Sequence, residues 1–207
     1  MIKSLQNGRT PQYHWKRVSD QYEYVTLDSV KDHLNIYDSS EDDSLKSLMW
    51  TASQLAEDYV GDFFNPTSIA LYMPTFSSVS LPHRGATTIT SIQYLDVDNV
   101  LQTLPAINYY LDLTVREPTI LFAAGFVRPV VSTTRNNPVT VTYVTKLGDI
   151  STTGTAVDLY GGSDIKMAVL MYCSEMYFNG DNITDGSVNK LPLCSERLLA
   201  KYRRVVV

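Results

Sequence analysis

Between Thr26 and Gly61 apolar residues recur at three- and four-residue intervals, the spacing that gathers side chains on one helix face. Leu45, Leu48, Met49, Ala52, Leu55, Ala56, Tyr59 and Val60 follow it along one long helix, and Leu27, Val30 and Leu34 along a shorter one. Thr26 suits the N-cap of the first. Ser40 with Asp43 three positions on is a weaker, aspartate form of a capping box for the second. The acids at that start suit the positive end of the helix dipole, and Gly61 can take the left-handed stop. Two such helices cannot bury both apolar faces alone, so later parts of the chain must cover them.

After Gly61 the pattern changes. The next eighty or so residues are rich in Thr, Val, Ile, Tyr and Pro with little helical period, and the strands expected are 68–73, 78–81, 89–95, 101–104, 109–113, 119–122 and 139–144. Asp96, Val97, Asp98 and Asn99 read as a hairpin loop, prolines 105, 118, 129 and 138 bound the segments, and 127–137 reads as an exposed loop. Residues 148–162 read as a linker. Ser163 then caps an apolar helix through about Phe178, in which Ile165, Ala168, Val169, Tyr172, Cys173, Met176 and Tyr177 cover more than one stripe, as in a central helix. Residues 179–189 form a loop, and Pro192 opens a last helix with Leu198, Leu199 and Tyr202 on one side. The expected fold is α+β, mainly α. A helical bundle comes from 26–62 and 163–204, with an antiparallel β-rich insertion at 63–147, the linker 148–162, an extended arm at 1–25 and a tail at 205–207.

Composition adds modestly to this. A chain of 207 residues fits one large domain or one with an elaboration. Fourteen tyrosines suit interfaces and half-buried strand positions equally. No apolar run approaches the ~18 residues of a membrane span. Nor does an apolar signal core follow Met1, Ile2 and Lys3. Cys173 and Cys194 make no metal or redox spacing and read as reduced packing residues in a cytosolic setting. The net charge of -5 is unevenly laid out: residues 28–62 hold nine acids against Lys31 and Lys46, whereas 197–207 hold Arg197, Lys201, Arg203 and Arg204 with no acid. Charge runs are usually solvated faces, yet opposed ends also favour head-to-side packing between copies.

Candidate chemistry is sparse. His14, His33 and His83 fall in no HExxH, Cys–His or Gly-x-Ser-x-Gly setting. Asp38, Glu41, Asp42 and Asp43 lack the alternating ligands, central glycine and distal glutamate of a calcium hand, and are better read as a helix-start cluster. Gly161, Gly162 and Ser163 lack the lysine and glycine pattern of a phosphate loop and read as a hinge and cap. Asn182 to Thr184 matches a glycosylation acceptor by chance. In 1–25, Lys3, Arg9, Lys16 and Arg17 are mixed with Tyr13, His14, Trp15, Tyr22 and Tyr24. No helical or alternating period runs through them. That segment is expected to become ordered against the domain or a neighbour, and stacking on single-stranded nucleic acid is the weaker reading. No catalytic residue, cofactor or metal ligand is expected.

The order of these parts resembles the head–tail connector, or adaptor, proteins of tailed bacteriophages. The resemblance lies in Val25 through Leu34 (VTLDSVKDHL), Glu41 to Leu45 (EDDSL), Ala52 with Glu57 to Gly61 (EDYVG), Ser91 to Asp96 with Tyr109, the apolar helix 165–177, and Leu198 to the closing Arg203. The resemblance runs from about residue 25 to 204 and leaves out the N-terminal arm, and the β-insertion looks longer than is usual there. The resemblance implies a helical bundle with a β-elaboration. It further implies a ring of about twelve copies beneath the portal of the filled capsid, extending the DNA channel and presenting a platform for the next tail component, the nozzle or stopper.

On that reading Tyr13, Trp15, Tyr22 and Tyr24 anchor the arm on an adjacent subunit. Asp38, Glu41, Asp42 and Asp43 face the channel, so that genomic DNA passes without tight binding. Arg197, Lys201, Arg203, Arg204, Val205, Val206 and Val207 dock on the portal. The protein would be made in the host cytoplasm and reside at the head–tail junction of the virion, with no membrane contact. The other function class is a small soluble binding module, with nucleic acid as one candidate ligand.

Overall fold

The computed structural model of the chain describes residues 13–19, 24–115, 117–147, 149–150, 156–157, 162–179 and 193–203. They fall into two compact units, one formed by 1–20 and 66–145, the other by 21–65 and 146–207. The class is α+β. One unit is β-structured and the other mainly helical, so helix does not dominate as expected.

The β-unit contains β1 (His14–Arg17), β2 (Thr67–Met73), β3 (Val79–Ser80), β4 (Ala86–Leu95), β5 (Leu101–Thr103), β6 (Tyr109–Asp112), β7 (Thr119–Phe122) and β8 (Val139–Thr145). A five-stranded sheet runs β1-β2-β8-β4-β5, a three-stranded one β3-β7-β6, and every pairing is antiparallel. Strict alternation makes β8 the middle of the larger sheet: Val139, Val141, Tyr143 and Thr145 are buried while the residues between them are half-buried. In register, Tyr143 lies opposite Ile69 and Val141 opposite Leu71, so β-branched and aromatic side chains meet across the ladder.

One detail refines the sequence reading, which expected the N-terminal arm to become ordered against the domain or a neighbour, and one departs from it. Residues 14–17 have no alternation, yet they form an edge strand on β2, with Trp15 opposite Leu71 and Arg17 opposite Ile69. The segment 127–137 is not simply exposed: the Ser132 N–H donates to the Leu95 carbonyl over 2.8 Å and its hydroxyl donates to the Asn99 side chain over 2.7 Å, with Ser132 buried. Asn99 itself takes the left-handed conformation at φ 61, closing the expected hairpin after β4.

In the helical unit α1 (Leu27–Leu34) starts as expected, the Thr26 hydroxyl accepting the Ser29 N–H over 3.2 Å. The helix α2 (Asp42–Val60) does not start as expected. Its cap position is Glu41, without a side-chain cap bond. Asp38 is the reason: its carboxylate accepts both the backbone N–H and the hydroxyl of Ser40, so that hydroxyl is committed to a turn before the helix. Gly61 ends α2 at φ 77, its N–H donating to the Glu57 carbonyl over 2.7 Å.

Part of the expected linker is strand: β9 (Asp149–Ile150) pairs with β10 (Ala156–Val157). Next, α3 (Gly162–Asn179) begins at Gly162, one residue before Ser163, and α4 (Leu193–Ala200) follows. Helix α3 packs against α1, α2 and α4. Their shared core includes Val30, Leu45, Met49, Ala56, Ile165, Val169, Tyr172, Cys173, Leu199 and Tyr202. Burying one Leu, Met or Val side chain contributes roughly 1.5–3 kcal/mol, so these faces hold the four helices together.

Candidate interaction surfaces

The turn into α2 brings Asp38, Glu41, Asp42 and Asp43 together, but they do not form a uniform acidic face. Asp42 turns inward to Lys31, Oδ1 to Nζ 2.7 Å, in a partly buried ion pair. Glu41 accepts a 2.8 Å hydrogen bond from the Tyr177 hydroxyl of α3. Asp43 lies 3.3 Å from Lys46 with its side chain fully exposed. The hydrogen bonds from Ser40 hold the Asp38 carboxyl below the usual range, so it is charged at neutral pH. Lys31 and Lys46 thus offset half of the cluster.

The C-terminal cations are also partly engaged. Lys201 bonds Asp164 of α3 and lies 5.0 Å over the Tyr202 ring; the contact with Asp164, then that with Tyr202, pushes its ammonium pKa up. Arg203 sits 5.3 Å over the ring of Tyr59. Arg197 is exposed on α4, while Leu199 and Tyr202 are buried in the core of the unit. Arg204, Val205, Val206 and Val207 lie outside the described residues.

Of the aromatic residues expected to anchor the arm, Trp15 meets an intrachain partner. It makes an edge contact with His83 at 4.8 Å, and His83 Nδ1 is in turn hydrogen-bonded to the buried Tyr143 hydroxyl at 2.7 Å. Forty per cent of Trp15 remains exposed and Tyr13 is half-buried. Tyr24 packs on Phe64 beside the helical core at 5.1 Å. Tyr22 lies outside the described residues. Cys194 is exposed, contrary to the packing role expected of it, because the buried side of α4 is taken by Ser195 and Leu199. Cys173 does pack, and burial pushes its thiol up to about 11.

The hydrophobic pattern attended to core faces and missed what lies opposite them. Tyr37, Trp50, Met167 and Phe178 are exposed in the helical unit. In the β-unit a cavity of about 520 Å³ is lined by Tyr94, Leu104, Pro105, Ile107, Phe126 and Val127 among others. A large apolar side chain among polar neighbours, as Trp50 is among Ser47, Thr51 and Gln54, is the signal that could have found such faces. Among the described residues, no group of three or more His, Cys, Asp or Glu could hold a metal ion, and no helix is long and apolar enough to cross a membrane.

Residues 24–90, which hold α1, α2, β2, β3 and the start of β4, match the family model of the phage gp6-like head-tail connector protein. No curated protein matches the chain. The fold is similar to a chain in the neck of an empty gene transfer agent particle computed with C6 symmetry: TM-score 0.69, 18% identity, covering 94% of this chain and 97% of that one. A chain in the virion of the native particle gives TM-score 0.70 at 18% identity, covering 93% and 96%. A chain in the native neck computed with C12 symmetry gives 0.63 at 18%, covering 94% and 97%. The connector resemblance seen in the sequence is thus matched over residues 24–90 by the phage head–tail connector family, and the fold those residues open is shared along nearly the whole chain with neck and virion structures.

Proposed function

We propose that this protein is a structural head–tail connector of a phage-like particle. One observation carries the proposal: the segment that matches the connector family opens a fold which, end to end, resembles chains in particle necks and virions. Its work is then mechanical. Copies form a ring of about twelve at the head–tail junction, bind the portal on one side and a nozzle or stopper protein on the other, and leave a channel for DNA. The C6 and C12 symmetries of the related necks support a ring. We assign it no catalytic step, since the acids gathered in the described site are committed to ion pairs, a turn and a tyrosine hydrogen bond rather than aimed at a reacting centre.

Within that reading the portal contact falls to Arg197, Lys201, Arg203 and the segment 204–207. Val205–Val207 supply strand-prone residues for an exposed sheet edge, where main-chain bonds give affinity and alternate side chains give fit. Asp38, Glu41 and Asp43 are the acids available to repel phosphate from the channel wall, with Asp42 withdrawn by Lys31. Trp15, 40% exposed, and the half-buried Tyr13 serve a neighbouring subunit. Synthesis in the host cytoplasm precedes incorporation.

Native mass spectrometry of the full chain, alone and mixed with the portal protein of its particle, tests the proposal. A closed oligomer near twelve copies, or a portal complex with that stoichiometry, is expected. A chain that stays monomeric and leaves the portal unbound would overturn it.

A further inference from the structure

On each of the two long helices of the helical unit the face opposite the core stripe reaches the surface, exposed on α2 and, on α3, exposed at Met167 and Phe178 with Met171 and Ser174 half-buried between them. On α2, Asp43, Ser47, Trp50, Gln54 and Asp58 follow at three- and four-residue steps, opposite the buried stripe through Leu45, Met49, Ala52 and Ala56. Trp50 is 50% exposed. On α3, Met167, Met171, Ser174 and Phe178 trace a stripe opposite Ile165, Val169 and Tyr172, with Met167 45% and Phe178 66% exposed. The α3 stripe is apolar apart from Ser174, whereas on the α2 stripe Trp50 stands as a single apolar anchor among polar residues; Met and large aromatics are residues that interface cores favour.

Charge selects the occupant. The α3 stripe is flanked by Lys166 at its start and Glu175 near its end; the α2 stripe has Lys46 near its start and Asp58 at its end. Laid antiparallel, Lys166 meets Asp58 and Glu175 comes within reach of Lys46. The spacing agrees, because eight residues separate Trp50 from Asp58 and eight separate Lys166 from Ser174, a rise of about 12 Å on each helix. Trp50 then lies over Met171 and Ser174. A ring requires two different, mutually complementary patches on every copy, and these stripes are such a pair on one unit. We infer that the α3 stripe of one copy seats on the α2 stripe of the next. This rests on the ring proposed above.

The test uses two full-length variants, Trp50→Asp and Met167→Asp, each altering one exposed stripe. Mass photometry and sedimentation velocity follow assembly with concentration, and far-ultraviolet circular dichroism verifies that both fold as the wild type does. Each variant alone is expected to need at least about tenfold more protein to assemble. Mixed in equal amounts, they retain one intact stripe each and should give a dimer that cannot close into a ring. Assembly of either variant at wild-type concentrations would overturn the contact and leave the ring standing. Variants that fail alone and yield no dimer when mixed would overturn the pairing of these two stripes. A wild type that never leaves the monomer would overturn the ring, and the contact with it.

Discussion

The Tyr177 hydroxyl, in the last turn of α3, donates a 2.8 Å hydrogen bond to the carboxylate of Glu41 at the start of α2. It ties together two chain segments 136 residues apart, on either side of the β-unit in sequence, and it uses one of the four acids of the connector-like turn. Glu41 is therefore a structural acid as well as an exposed one.

This bond has a pH signature. Accepting from Tyr177, the carboxylate favours the protonated phenol and raises its pKa above the ordinary 10.0. The contribution to stability is thus complete below the ordinary tyrosine value and is lost as pH rises through the raised one. Tyr177→Phe should lower the thermal midpoint at about pH 7, and the gap from wild type should narrow above about pH 10. Melts followed by circular dichroism across that range check it. Tyr172, pushed up to about 12 mainly by burial, is present in both proteins and cancels in the comparison.

In the β-unit the Tyr143 hydroxyl reaches His83 beneath Trp15. Tyr143→Phe keeps the ring in the central strand and withdraws that buried bond, so it should cost about 1–3 kcal/mol. Urea unfolding of the variant against wild type measures the loss.

The two thiols should separate by reactivity. Cys194 is exposed, whereas the Cys173 thiol is buried and held near 11, where little thiolate forms at neutral pH. One thiol per chain should react quickly with a disulfide reagent in the native protein. The second should follow only on adding denaturant. Replacing Cys194 with Ser should abolish the fast phase.

Cutting the chain after Tyr202 removes 203–207 and keeps the buried Leu199 and Tyr202. The losses within the described fold are the Arg203 contact over Tyr59, about 0.5–1 kcal/mol for an exposed cation over a ring, and the Arg203 N–H bond to the Ala200 carbonyl at 3.2 Å. Thermal stability and helical signal should barely change, while capture by the portal is lost. Retained capture would move the docking surface, most directly to α1 and α2.

The helices were legible because a period of 3.6 survives without knowledge of partners, and the strands because β-branched residues cluster between prolines. The failures share a physical cause. Ser40 has the composition of a cap, but the competing acceptor Asp38 lies two residues before it and captures its hydroxyl. Strand β1 has no pattern of its own, since an edge strand of four residues is specified by β2, some fifty positions away. The sheet order, with β8 between β2 and β4, depends on pairings that are likewise distant in sequence. At the interaction surfaces, charge composition identified the acidic turn, whereas the ion pairs of Asp42 and Lys201 arise from tertiary placement and reduce what the composition promised.

Cryo-electron microscopy of the particle neck, taken from DNA-filled particles of the genome that encodes this chain, tests the connector role most directly. A closed ring at the head–tail junction, with density that fits the helical and β-units of this chain in about twelve copies, is expected. A neck whose rings are all filled by other proteins, with this chain absent from the purified particles, would contradict that role.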